Sequence, residues 1–454
     1  MPLRLRLIPA VLFAAAASSA LAETIGVAPG QPLQAVLDRA QDGDVIAVAA
    51  GEHPGAITIA RRLTIAGEPG AILAGNGAGT VIKVTAPDVV IRGLTIKNSG
   101  RDLQTMDSGI FLEQSAERAL VENNRLQGNL FGVYVHGATG SRVQGNVIEG
   151  LRDIRLAEAG NGVSVWNAPE VTIADNTFRY GRDGIFTITS KNDRFINNRF
   201  ENVRFAVHYM YTNDSEVSGN LSIGNHAGFA IMYSNRLTIR GNVSDRDRDY
   251  GLLFNYANYA AIEGNRVSGG SLANIGNGRD EGSDDEKGML PEAKPAQAGS
   301  SQDGPQKCVF IYNANHNKFR DNWFERCGIG IHFTAGSEGN EITGNAFIGN
   351  RNQVKYVGTR NLDWSKGGRG NYWSDNPAFD LDGDGIADTA YRPNDLVDRV
   401  LWTAPSAKVL INSPAVQVLR WAQSQFPALY PGGVIDTHPL IAPPPKPSAT
   451  RGQP

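Results

Sequence analysis

An Asn preceded by Gly, Asp or Asn recurs through the chain at Asn124, Asn146, Asn176, Asn198, Asn220, Asn242, Asn265, Asn322 and Asn345. Four of the intervals are 22 residues and two are 23; the exceptions, 30 and 57, read as a normal coil plus an inserted loop. A fixed period of this length is the mark of a solenoid, in which each repeat buries its apolar side only by stacking on a copy of itself. Before each Asn stands a short strand pattern: "GIFLE" from Gly109, "GVYVH" from Gly132, "GVSVW" from Gly162, "GIFTI" from Gly184, "AVHYM" from Ala206, "GFAIM" from Gly228, "GLLFN" from Gly251, "CVFIY" from Cys308 and "GIHFT" from Gly330. The second column (Ile110, Val133, Val163, Ile185, Val207, Phe229, Leu252, Val309, Ile331) is apolar, and the fourth is nearly so, as in Leu112, Val135 and Ile231. With a period of two along a strand, both columns face the core. The expected fold is all-β, a right-handed parallel β-helix of 22-residue coils. The recurring Asn suits left-handed turn geometry and coil-to-coil hydrogen bonding.

The third and fifth columns then face outward, and they are not ordinary solvated positions. The third holds Phe111, Tyr134, Ser164, Phe186, His208, Ala230, Leu253, Phe310 and His332; the fifth holds Glu113, His136, Trp166, Ile188, Met210, Met232, Asn255, Tyr312 and Thr334. Such a stripe fits a partner or ligand surface carried by Phe111, Tyr134, His136, Trp166, Phe186 and His332, or a face covered by another segment of the chain. Met210 and Met232 are 22 apart and fall on adjacent coils, with ~4.8 Å between neighbouring strands. His208 lies two residues along, roughly 7 Å away at ~3.3 Å per residue. Two thioethers and an imidazole suit Cu(I), a soft ion, and an incomplete ligand set suits transient hand-over. The plainer reading is that Met and His pack against a partner. His136 and His332 lie several coils away, so they cannot share an ion with His208.

Residues 1–22 read as a secretory signal: Arg4 and Arg6, then "VLFAAAASSA", then Ala20-Leu21-Ala22 as a cleavage site. An N-terminal anchor is the alternative, but the apolar run is short for a span. Cys308 and Cys327 in an exported chain suggest a disulfide, with a thiolate metal pair as the alternative. Net charge of -3 gives no reason to expect a nucleic-acid partner. The β-helix is expected over 23–355, interrupted at 268–307 by a Gly-, Ser-, Asp- and Pro-rich insertion read as a mobile loop. A capping or docking region is expected over 356–440 and a disordered tail over 441–454. "DLDGDGIAD" spaces Asp380, Asp382, Asp384 and Asp388 like the first nine positions of a calcium loop, but the twelfth position holds Tyr391 rather than Glu. An Asx-rich turn is the alternative there. Ser413-Pro414 opens a helix that caps the stack or docks a partner.

The strings "FAVHYMYTN", "CVFIYNANHNKFRDNWFERCGIGIHF", "GNYWSDNPAFDLDGDGIADTAYRPNDLVDR" and "LINSPAVQVLRWAQSQFP" resemble the NosD family over essentially the whole mature chain. The resemblance implies a periplasmic accessory protein, not an enzyme, that helps assemble the copper centres of nitrous oxide reductase. It implies an ABC transporter and a small copper-chaperone lipoprotein as partners, and it gives the Met210, Met232 and His208 cluster a purpose. A β-helix uronate lyase or epimerase, or a metal-free docking scaffold, are the competing functions. The outward columns offer only Glu113 as an acid, where such enzymes need clustered carboxylates or a His with a basic residue.

Overall fold

The computed structural model describes residues 22–152, 154–270, 305–403, 405–410, 413–426 and 432–447. The expected signal segment and most of the 268–307 insertion therefore lie outside the described residues. The insertion's ends belong to strands: Ser268 closes Arg266–Ser268 and Lys307 opens Lys307–Tyr312.

The chain winds into three parallel sheets of 13, 12 and 13 strands. It is an all-β parallel solenoid. The first sheet runs from Thr24–Val27 to Glu341–Thr343, the second from Ile57–Ile59 to Asn352–Val357, and the third from Gly51–Pro54 to Tyr372–Trp373. The third sheet thus carries the stack past residue 355. Alternation works as the period predicts: Ile110, Val133, Val163, Ile185 and Val207 are fully buried in one continuous core. Stacked rings extend that core, as between Phe178 and Phe200 with centroids 4.9 Å apart.

The recurring Asn does a different job from a turn residue. From Asn124 to Asn345 it is at most 3% exposed. Its Nδ2 donates to the Oδ1 of the next Asn, as from Asn176 to Asn198 at 3.0 Å, and also to a carbonyl, here Val143 at 2.9 Å. Its backbone N–H donates to the same Oδ1. The left-handed residue is the one before it: Asn123, Asp175, Asn197 and Asp321 have φ of 53–56°, and Gly takes the place elsewhere. That explains the Gly/Asp/Asn requirement, because these residues tolerate positive φ at little cost. The chain of Asn continues to Asn371, beyond the repeat legible in the sequence, and is closed there by Asp436. Its Oδ2 accepts from the Asn371 N–H (2.7 Å) and from Trp373 Nε1 (2.8 Å).

Cys308 and Cys327 are joined, with Cα atoms 5.6 Å apart, inside the core, linking the start and the end of one coil. Past the stack, helices Leu396–Thr403 and Pro414–Gln425 form a separate pair; Ser413 caps the second by accepting from Val416 N–H. The expected disorder of the tail does not extend to residues 441–447. Lys446 returns to the third sheet and donates to both carboxylate oxygens of Glu325, at 2.9 and 2.8 Å.

Candidate functional site on the second sheet

The strand Phe205–Met210 alternates in and out: Val207 and Tyr209 point into the core, while His208 and Met210 share the outer face. It pairs in register with Ala227–Met232, placing Met210 opposite Met232 and His208 opposite Ala230. The two thioethers therefore sit on adjacent rungs. Neither belongs to the interior core: Met232 packs in a second, outer cluster with Phe205, Ala227, Ala230, Leu253 and Phe310, against which Met210 also rests.

This face is more covered than an outward column implies. Met232 is 2% exposed, His208 5% and His332 3%, whereas Met210 is half-buried. The strand parity was legible. The covering was not, because alternation gives direction and says nothing about what lies on top. Burial pushes the His332 imidazole well below its ordinary range, and Lys307 and Lys355 push it further. His332 is thus a buried neutral ring and not part of an open surface.

His208 is held by a network the period did not disclose. Its Nδ1 lies 3.1 Å from Asp183 Oδ2 and 3.4 Å from Arg204 Nη2; toward the nearer partner, a carboxylate that can only accept, Nδ1 is the donor. Asp183, 1% exposed in its side chain, also accepts from Arg204 through Nε (2.7 Å) and Nη2 (2.6 Å). Burial alone would raise the Asp183 carboxyl. The His208 hydrogen bond with the charge and hydrogen bonds of Arg204 outweigh it and hold Asp183 well below the usual carboxylate range. Phe186 and Phe205 flank the His208 ring at 5.0 and 5.1 Å. His208 Nε2 is buried and has no hydrogen-bond partner among the described residues. With the proton on Nδ1, that nitrogen presents a lone pair. An imidazole braced by a carboxylate on one nitrogen and free on the other is the usual arrangement of a metal-ligating His. Beside two thioethers it fits a soft monovalent ion. Asp183 stands just before "GIFTI", at the corner outside the five columns and on the inward parity of Ile185, so the strand alternation did not point to it.

Toward the start of the sheet the outer face is an aromatic pile. Phe111 stacks on Tyr134 (5.4 Å), and His136 stacks on Trp166 (4.4 Å). Phe111, Tyr134, His136 and Phe186 are half-buried, and Trp166 is 39% exposed. Glu113, the lone acid of the two columns, is ion-paired with Lys83.

The acidic loop brings Asp380, Asp382 and Asp384 together, with one ligand oxygen of each within 4.8 Å of the others. Asp388 lies apart from this trio, accepting from Leu381 N–H at 2.8 Å. The backbone N–H groups of Gly385 and Gly383 hold the Asp380 carboxyl below its ordinary range. Tyr391, at the position where a calcium loop has Glu, packs on Trp373 and donates to Asp375.

A family described as "Periplasmic copper-binding protein (NosD)" matches residues 146–378. A protein of Stutzerimonas stutzeri named "Probable ABC transporter binding protein NosD" is 40% identical over 86% of this chain and 85% of its own length. This chain belongs to the NosD family. A NosD of the same name from Pseudomonas aeruginosa is 39% identical over 92% of each chain. Residues 31–194 also match a family described as a protein of unknown function (DUF1565). Among solved structures, the A-module of a mannuronan C-5 epimerase from Azotobacter vinelandii is similar at 13% identity and a TM-score of 0.47, over 71% of this chain and 90% of that one. A Paenibacillus alginate lyase is similar at 19% identity and a TM-score of 0.45, over 54% and 94%. No helix among the described residues is long and apolar enough to cross a membrane.

Proposed function

We propose that this NosD-family chain is a periplasmic accessory protein that receives or relays Cu(I) during assembly of the copper centres of nitrous oxide reductase. Its partners are an ABC transporter, a copper-chaperone lipoprotein and the reductase. The observation that carries the copper reading is the buried, unpartnered Nε2 of His208 on the same outer face as the paired thioethers of Met210 and Met232. Neutral soft ligands without a carboxylate in the set favour Cu(I) over Zn, Mg or Ca. Three ligands leave room for a donor or acceptor protein to complete the shell. The aromatic pile of Phe111, Tyr134, His136 and Trp166 supplies the rigid rings that partner surfaces favour.

The non-enzymatic reading is supported by the carboxylates of this face. Glu113 is held by Lys83, and Asp183 is buried under Arg204. Neither is placed for acid–base work on a sugar.

The test is a Cu(I) titration of the full chain under reducing conditions, with a chromophoric chelator in competition. The expected result is one tight equivalent in the wild type and its loss on Met210→Ala with Met232→Ala. In cells, the same double variant should yield copper-poor reductase. Normal copper loading of the reductase by the double variant would reduce this protein to a docking scaffold.

A further inference from the structure

The Asp183 carboxylate lies on the coil before His208 and accepts from His208 Nδ1, from Nε and Nη2 along one edge of the Arg204 guanidinium, and from the Phe205 N–H at 3.3 Å. A carboxylate with this many donors has one orientation, and an ionised carboxylate accepts only. A buried ion pair is a weak source of stability, because desolvation offsets most of the attraction. Its placement on the back of one imidazole is what needs explaining.

We propose that Asp183 is the positioning residue for His208: it fixes the Nδ1–H tautomer and the ring angle, so that Nε2 is the ligand nitrogen offered to Cu(I) alongside Met210 and Met232. The inference rests on the copper reading above. Arg204 contributes by holding Asp183 as an anion in the right pose, and its guanidinium lies over the Phe205 ring at 4.4 Å. The Asp183–Arg204 pair is neutral as a unit. The ligand set is neutral too, so the positive charge of the bound ion is uncompensated in a buried place. That makes the site releasable, which suits hand-over rather than storage.

The chain has seven His, so nitrogen NMR of histidine-labelled, copper-free protein resolves the His208 ring, assigned by comparison with His208→Gln. The expected spectrum has the proton on Nδ1 and a bare Nε2. A wild-type ring protonated on Nε2 overturns the proposal without any need for a variant. In Asp183→Asn, whose amide must turn donors toward donors, the Nε2–H tautomer should rise and Cu(I) affinity should fall ~10- to 100-fold, measured with Cu(I) supplied as its acetonitrile complex against bicinchoninate. A purely structural role would lower the melting temperature and leave the tautomer where it was. If His208→Ala and Met210→Ala weaken copper but Asp183→Asn changes neither tautomer nor affinity, Asp183 has no positioning role while the copper reading stands. If no ligand variant changes affinity, the copper reading itself is lost.

Discussion

At the residue scale, two buried carboxylates in this solenoid are tuned in opposite directions by their neighbours. Asp183 has a guanidinium beside it and stays ionised. Asp193 pairs with no cation among the described residues; burial pushes its carboxyl up to about 7, against hydrogen bonds from Ser190, the Val171 N–H and Thr187 that lower it. The unfolded chain releases that proton near ~4. The folded chain therefore binds more protons between about 4 and 7, and stability falls as pH rises through that window. Asn317 occupies the equivalent position in a later coil, accepting from Ala260 N–H and donating to the Ala257 carbonyl. Asp193→Asn should therefore raise the melting temperature at pH 8 and flatten its decline between pH 5 and 8. An unchanged pH profile in thermal melts would mean Asp193 is not the group responsible. By contrast, Asp183→Ala leaves Arg204 buried without its anion and should cost on the order of 3 kcal/mol in chemical denaturation.

At the scale of the element, much of the coil was legible, because the side-chain period of a strand and the coil period are both local. Core columns and the Met210–Met232 register follow from counting. Two kinds of contact escaped. Arg204, Asp183 and His208 meet across a corner between coils, where the column reading was not extended. Asp436 meets Asn371 from 65 residues away, beyond the last repeat. The end of a solenoid needs a cap, since its last rung has no neighbour to satisfy it. Asp436→Ala would strip the acceptor from Asn371 and Trp373 and leave buried donors unsatisfied, at ~1–3 kcal/mol each. The expected outcome is a loss of at least ~2 kcal/mol, with amide exchange accelerated first in the strands Ala346–Ile348 and Tyr372–Trp373. Uniform acceleration along all coils would contradict the capping role.

For the whole molecule, the solenoid is a ruler that holds an aromatic pile at one end of a sheet, two sulfurs in its middle and a helical pair beyond it. The helix Pro414–Gln425 leaves Val418 and Leu419 exposed at 64% and 41%, and Phe426 follows at 60%. If this pair docks the ABC transporter, Leu419→Glu should reduce co-purification with the transporter while the melting temperature stays within ~1 °C, as expected of a surface change. Retained co-purification would move the docking face elsewhere, with the pile at Trp166 next in line. The covering of Met232 and His208 was not readable from the columns, because it comes from corner residues such as Phe205 and Arg204 and from side chains on neighbouring rungs such as Leu253. Under the copper reading proposed above, the covering of Met232 and His208 is what separates a relay site from an adhesive stripe of Met and aromatics. The most direct test is copper K-edge X-ray absorption of the Cu(I)-loaded full chain. Two sulfurs and one imidazole nitrogen around the ion, with sulfur lost in Met210→Ala with Met232→Ala, is the predicted shell. A shell of oxygen and nitrogen alone, unchanged in that variant, would contradict it.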